Sequence, residues 1–148
     1  MTTASHEPEL SGLIHTFVEG WNAGSGERLA GAFAADADFT NVMGLRAHGR
    51  DVIAQGHNEI LATVFRGTRL EAAINQIRYL RPDVAAVDVT LTLRGADGQP
   101  VAMLPAGQSS LGFVATREAG TWAIAVLRNM IPFARPAAGP VERSLAVS

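Results

Sequence analysis

The sequence predicts an α+β domain with helices laid on one face of a curved antiparallel sheet. Apolar residues recur at helical spacing from Leu10 to Phe65, then alternate as in half-buried strands from Leu70 to Ile131. Turn-forming residues punctuate the second half at Arg81-Pro82-Asp83, in a segment containing Asp97-Gly98, and at Glu118-Ala119-Gly120. Helices first and a meander of strands afterwards is the order of an α+β fold, not of a parallel βαβ fold.

Leu10, Leu13, Ile14, Phe17, Val18 and Trp21 form one apolar stripe, so Pro8 to Asn22 is expected as a helix that Ala23-Gly24-Ser25-Gly26 stops. Glu27 to Ala34 reads as a short second helix with Leu29 and Phe33 on one face. Ala37 to Met43 alternates as a strand, which puts Phe39, Asn41 and Met43 on one side. Arg50 to Phe65 is the third helix, with Asp51 at the positive end of its dipole and Ile53, Gly56, His57, Ile60, Leu61 and Val64 sharing a face. Gly56 costs helix stability there, which points to close approach of another segment or a ligand. Leu70 to Leu80, Val84 to Arg94, Gln108 to Arg117 and Thr121 to Ile131 are the long strands. The connection from Gly95 to Gly107 carries Val101-Ala102-Met103-Leu104 between Pro100 and Pro105, and apolar residues in a loop of that size suggest a lid or a subunit contact.

At 148 residues and 15.6 kDa the chain can bury one core but is too short for a cofactor domain plus a substrate domain. Residues 1–134 read as one domain, and 135–148, aperiodic and holding Pro136, Gly139 and Pro140, as a flexible tail. A net charge of −2 gives no basic field for nucleic acid. All 12 basic residues are arginine, which removes Schiff-base and lysine general-base chemistry, and the absence of cysteine removes thiolate nucleophiles and sulfur-ligated metals. Met1 to Pro8 is polar and acidic, unlike a signal peptide, and no apolar run reaches membrane-spanning length. This reads as a cytoplasmic soluble protein with no membrane partner.

Gly24-Ser25-Gly26 follows a helix where a dinucleotide loop requires a strand, so no cofactor is expected. His48 and His57 are a nearby histidine pair with no carboxylate at helical spacing to complete a site, and His15 with Glu19 reads as a solvated helix face, so no metal is expected either. Ser109-Ser110 lies in a strand without a nucleophile elbow.

His57 is flanked by Ile53 and Leu61 one turn away on each side and points inward, where it either bonds a core group or lines a ligand cavity and exchanges protons. Asn41, on the Phe39 face, either bonds backbone or presents its amide to a ligand. Arg128 alternates with Trp122, Ile124, Val126 and Met130, and needs either a partner such as Asp88 or a ligand oxygen. Asp88 itself lies on the polar face of its strand, toward solvent or another subunit. Tyr79 and Gln108 are within reach of a ligand, with directions that periodicity leaves open.

Phe17-Val18-Glu19-Gly20-Trp21-Asn22-Ala23-Gly24, the run from Asp36 to Gly44, His48-Gly49-Arg50, Ile53 to His57, Trp122-Ala123-Ile124 and Arg128-Asn129 together resemble the nuclear transport factor two-like superfamily. Within it they are similar to the SnoaL-related group called SgcJ/EcaC, over about Leu10 to Pro132. The resemblance implies a cone-shaped, cystatin-like fold in which a curved antiparallel sheet and three helices from the N-terminal half enclose an apolar pocket. It implies a homodimer packed through the sheet, and a place in polyketide or enediyne-type natural-product (antibiotic) biosynthesis. Ser25 stands where the pattern has aspartate, and Arg128-Asn129-Met130 where it commonly has His-Asn-Thr. The pocket carboxylates of the ketosteroid isomerase and limonene epoxide hydrolase relatives have no counterpart here.

The expectation is a cofactor-independent pocket protein for an apolar intermediate, with Trp21, Phe39, Met43, Tyr79 and Gln108 as ligand contacts. If it is an enzyme, it is an isomerase or cyclase in which His57 moves a proton while Asn41 or Arg128 stabilises oxygen charge. The alternative is a non-catalytic binding or assembly homodimer acting through its surface.

Overall fold

The computed structural model of the chain describes residues 5–133, and the tail expected over 135–148 lies outside them. Helix α1 spans Glu7–Asn22, with Pro8 in the first turn, where a missing N–H costs nothing, and Glu7 and Glu9 at the positive end of the dipole. Its buried stripe is Leu10, Ile14, Phe17 and Trp21. Helix α2 spans Gly26–Ala30, shorter than expected, because Phe33 leaves the helix and opens strand β1 (Phe33–Thr40). The Ser25 hydroxyl accepts from the Arg28 N–H at 3.2 Å and caps α2. Serine caps about as well as aspartate, so this departure from the family pattern leaves the turn intact.

A short strand β2 (Arg46–His48), which alternation did not reveal, folds back on β1. Helix α3 spans Arg50–Ala62 and buries Ile53, Ala54, His57 and Leu61, while Val64 falls in the turn beyond it and is exposed. Strands β3 (Arg69–Arg81), β4 (Val84–Arg94), β5 (Gln108–Glu118) and β6 (Thr121–Met130) form the expected meander. The sheet order is β2-β1-β6-β5-β4-β3. All pairs are antiparallel except β1 with β6, so the sheet is mixed. The helices cover its inner face, where Val87, Val89, Leu111, Phe113, Ile124 and Leu127 are buried against Leu10, Phe17, Leu29 and Ile53. Edge strand β3 carries Arg69, Glu71, Arg78 and Arg81, charges that protect an open edge from further pairing.

The long β4–β5 connection packs back onto the core. Leu104 is buried, Val101 rests on the core, and the Val101 N–H donates to the Leu93 carbonyl at 3.1 Å. Met103 alone among its large apolar side chains is strongly exposed.

Helix α2 is wedged between α1 and α3 at two glycines. A Cβ on Gly20 would collide with the backbone of Leu29, and one on Gly26 with the Ala54 carbonyl of α3. Asn58 of α3 completes this joint, its Oδ1 accepting from the Gly26 N–H at 2.7 Å and its Nδ2 donating to Glu27 Oε1 at 2.8 Å. Gly56, by contrast, has nothing within 4 Å of the position its Cβ would take, so no other segment of the described chain approaches it closely.

Candidate functional site

Spacing along α3 sends His57 into the core, and two other elements close around it. Phe39 of β1 meets the imidazole edge to face at 4.9 Å between centroids, with Phe17 at 5.9 Å and Trp21 at 6.2 Å, both from α1. Perpendicular contacts of this kind suit aromatic quadrupoles. His57 is 6% exposed. Its Nδ1 lies 2.8 Å from the Ile53 carbonyl oxygen, which can only accept, so Nδ1 carries the proton. Burial pushes the pKa below the usual histidine value, and the bond to Ile53 offsets this only in part. The ring is therefore neutral at pH 7 and Nε2 is an unprotonated acceptor. Nε2 has no hydrogen-bond partner among the described residues, and it is not one of the polar atoms sealed from solvent without one.

The residues beside the cage hold it in place. Trp21 Nε1 donates to Thr68 Oγ1 at 3.0 Å, and Thr68 Oγ1 in turn donates to the Phe65 carbonyl at 2.6 Å. The Asn22 side chain bonds both backbone groups of Leu70, accepting at 2.7 Å and donating at 3.1 Å. The Trp21-Asn22 pair thus fixes the connection from α3 into β3, a positioning role for Asn22 that sequence spacing did not suggest.

Of the residues expected at the site, the structure brings Trp21, Phe39 and His57 together. The others stand elsewhere. Strand β1 ends at Thr40, so Asn41 begins a turn; its Oδ1 accepts from the N–H groups of Met43 and Leu45 at 2.9 and 3.0 Å and is consumed by the backbone. Met43 sits near the tip of that turn, 69% exposed. Tyr79 is exposed near the far end of β3, its hydroxyl accepting from the His6 N–H at 3.2 Å. Gln108 is exposed and pairs with Thr92 on the outer face of the sheet.

Arg128 is on the outer face as well, because β6 carries a bulge. Val126 pairs with Val114 but Ile124 pairs with Ala115, leaving Ala125 extra. One extra residue inverts the alternation, so Leu127 and Asn129 turn inward and Arg128 outward. Arg128 and Asp88 flank Gly112 there, and Asp88 Oδ1 lies 3.6 Å from where a Gly112 Cβ would stand.

His48 is exposed on β2, its Nδ1 2.7 Å from Asp38 Oδ1, and the hydrogen bond and charge of Asp38 raise its pKa. Among the described residues no three His, Asp or Glu side chains group to hold a metal ion. Two surface depressions lie away from His57. One of about 300 Å³ runs between α1 and β3, from Ile14 and Val18 to Ala72 and Ile74. The other, about 420 Å³, lies on the outer face over Ala86, Val114 and Val126, bounded by Asp88 and Arg128.

No protein-family model matches the sequence, and comparison with curated proteins gives no match. Solved structures do match. A domain of unknown function with a cystatin-like fold from Nostoc punctiforme PCC 73102 is 27% identical, with a TM-score of 0.82 over 99% of this chain and 85% of that one. The chain has the cystatin-like, nuclear transport factor two-like fold. A second cystatin-like protein, from Caulobacter vibrioides, is 28% identical, with a TM-score of 0.75 over 95% of this chain and 97% of that one. The hexachlorocyclohexane dehydrochlorinase LinA-type3 of Novosphingobium barchaimii LL02 shares this cystatin-like architecture at 14% identity, with a TM-score of 0.72 over 90% of each chain. No helix of the described residues is long and apolar enough to cross a membrane.

Proposed function

We propose that this protein binds an apolar small molecule inside the cone and moves a proton on it, with His57 as the base and no cofactor. The unpartnered, unprotonated Nε2 of His57 within its aromatic cage carries this reading. Rings that exclude water also offer apolar walls to a ligand, and a neutral imidazole accepts a proton without prior deprotonation. Nε2 takes the proton from a carbon beside a carbonyl, the electron pair moves to the oxygen as an enolate, and return of the proton to another carbon completes an isomerisation. Attack of the enolate carbon on a second carbonyl carbon of the same molecule instead closes a ring: the C=O π pair moves to that oxygen, which takes the proton back from Nε2. The motif resemblance to the SgcJ/EcaC group supports a polyketide or enediyne-type intermediate in antibiotic biosynthesis as the natural ligand. The measurement that tests the chemistry needs no pathway compound: deuterium exchange into 2-tetralone in D2O, followed by NMR. The wild type is expected to accelerate exchange and His57→Gln to lose about a hundredfold or more of that acceleration. Equal rates in the two proteins would remove His57 as the base.

A second reading, assembly through the sheet, has its own observation. Asp88 and Arg128 stand symmetrically about Gly112 over the apolar side chains of Ala86, Val114 and Val126. A two-fold axis parallel to β5 above Gly112 brings each Asp88 opposite the other copy's Arg128, a self-complementary arrangement. In sedimentation equilibrium Asp88→Arg is expected to weaken a dimer about tenfold, and Asp88→Arg with Arg128→Asp to restore it. A double variant no tighter than the single one would refute this pairing.

A further inference from the structure

Two polar side chains on the inner face, Ser109 buried and Asn129 half-buried, have no role in the chemistry above. Ser109 of β5 is 3% exposed, and no partner for its hydroxyl is found among the described residues. Asn129 of β6 has its Oδ1 sealed from solvent and without a hydrogen bond. Asn129 pairs with Leu111, two residues along β5 from Ser109, so the two are diagonal neighbours on the same face as Phe39 and Leu127. Diagonal side chains stand about 7–8 Å apart at Cα, a span that one oxygen atom bridges when both groups reach toward it. Buried polar groups are almost always hydrogen-bonded, so the sealed Asn129 Oδ1, which has no partner among the described residues, is open to one from a ligand.

We infer that Ser109 and Asn129 form a two-point hydrogen-bonding station for a hydroxyl or enol oxygen of the apolar ligand. This rests on the interior site proposed above and gives it a substrate class. Such an oxygen donates to the unpartnered Asn129 Oδ1 and accepts from the Ser109 hydroxyl beside it. A carboxylate does not fit. Arg128, the cation next to Asn129 along the strand, faces outward, so the station supplies no countercharge.

Calorimetric titration with 2-naphthol and naphthalene, which differ by one hydroxyl, tests this. The wild type is expected to bind 2-naphthol about tenfold tighter than naphthalene. Asn129→Leu and Ser109→Ala should each bring that ratio toward one while leaving naphthalene affinity within about twofold. Thermal melting of the ligand-free proteins separates this role from a structural one: a station residue leaves the melting temperature level or higher when replaced, and a residue bonded within the core lowers it. If Asn129→Leu does not fold, Ser109→Ala alone decides. Equal wild-type affinities for the two compounds, or a ratio unchanged in the variants because a bound water satisfies the pair, would overturn the station and leave the interior site standing. Failure to bind either compound would remove the interior site and the station with it.

Discussion

Gly26→Ala is expected to unfold the protein or bring it close to unfolding, whereas Gly56→Ala, the same change in the neighbouring helix, is expected to stabilise it. The methyl group at position 26 would overlap the Ala54 carbonyl oxygen and come within 2.8 Å of Asn58 Oδ1 and 2.9 Å of the Ala54 carbonyl carbon. Two of these atoms are backbone, and the third accepts the Gly26 N–H. Relief requires α2 to move away from α3, and Gly20 already holds α2 against α1, where Leu29 fills the space. Overpacking costs about 1–3 kcal/mol where side chains can yield. Here the backbone must yield and a half-buried hydrogen bond is lost with it, so a loss of about 3–5 kcal/mol is expected, against a total stability of about 5–15 kcal/mol for an ordinary domain. Gly56 is exposed in the interior of α3 with open space around it, and alanine there should add about 0.5–1 kcal/mol through helix propensity alone. Urea unfolding of the two variants beside the wild type measures both signs. A Gly26→Ala protein as stable as the wild type would mean that the three helices are not locked at this joint.

That contrast shows what spacing makes legible and what it does not. Periodicity located α1, α3 and the four long strands, because burial of one face is what writes a period into a sequence. It also sent His57 inward correctly, between Ile53 and Leu61. It chose the wrong glycine. Gly56 looked costly within a helix, but the tight contact is at Gly20 and Gly26, where nothing local marks a neighbour that is distant in sequence. Alternation carries Asn41 along a strand that stops at Thr40, although Asn41 and Gly44 together are a turn signal. Arg128 and Asn129 exchanged faces through the extra residue Ala125, and a bulge between alanine and valine leaves no mark in composition. Polar side chains that face the interior thus include His57, Ser109 and Asn129, of which alternation along the sequence marks only the first.

The protein is expected to lose stability on acidification below about pH 6.5 in a way that His57→Leu abolishes. Burial holds the folded-state pKa of His57 below its unfolded value. Above the unfolded pKa the ring is neutral in both states and contributes no pH dependence. Below it the unfolded chain binds a proton that the folded chain refuses, so stability falls with pH until the folded-state pKa is reached. One such proton gives a slope of up to about 1.4 kcal/mol per pH unit. His48 acts with the opposite sign. Its folded-state pKa is raised by Asp38, so its contribution is present below the unfolded pKa and fades as pH rises through the folded one. Comparing His48→Asn with the double variant His48→Asn, His57→Leu removes that opposing term. Urea unfolding at pH 7.5, 6.5, 5.5 and 5.0 should show a falling stability in the first protein and a flatter one in the second. Parallel profiles would mean that His57 takes up its proton in the folded state, and so that Nε2 reaches water freely enough to escape the desolvation its cage imposes. The same experiment therefore bears on function: a base kept neutral by burial continues to accept substrate protons at pH values where an exposed histidine is already half protonated.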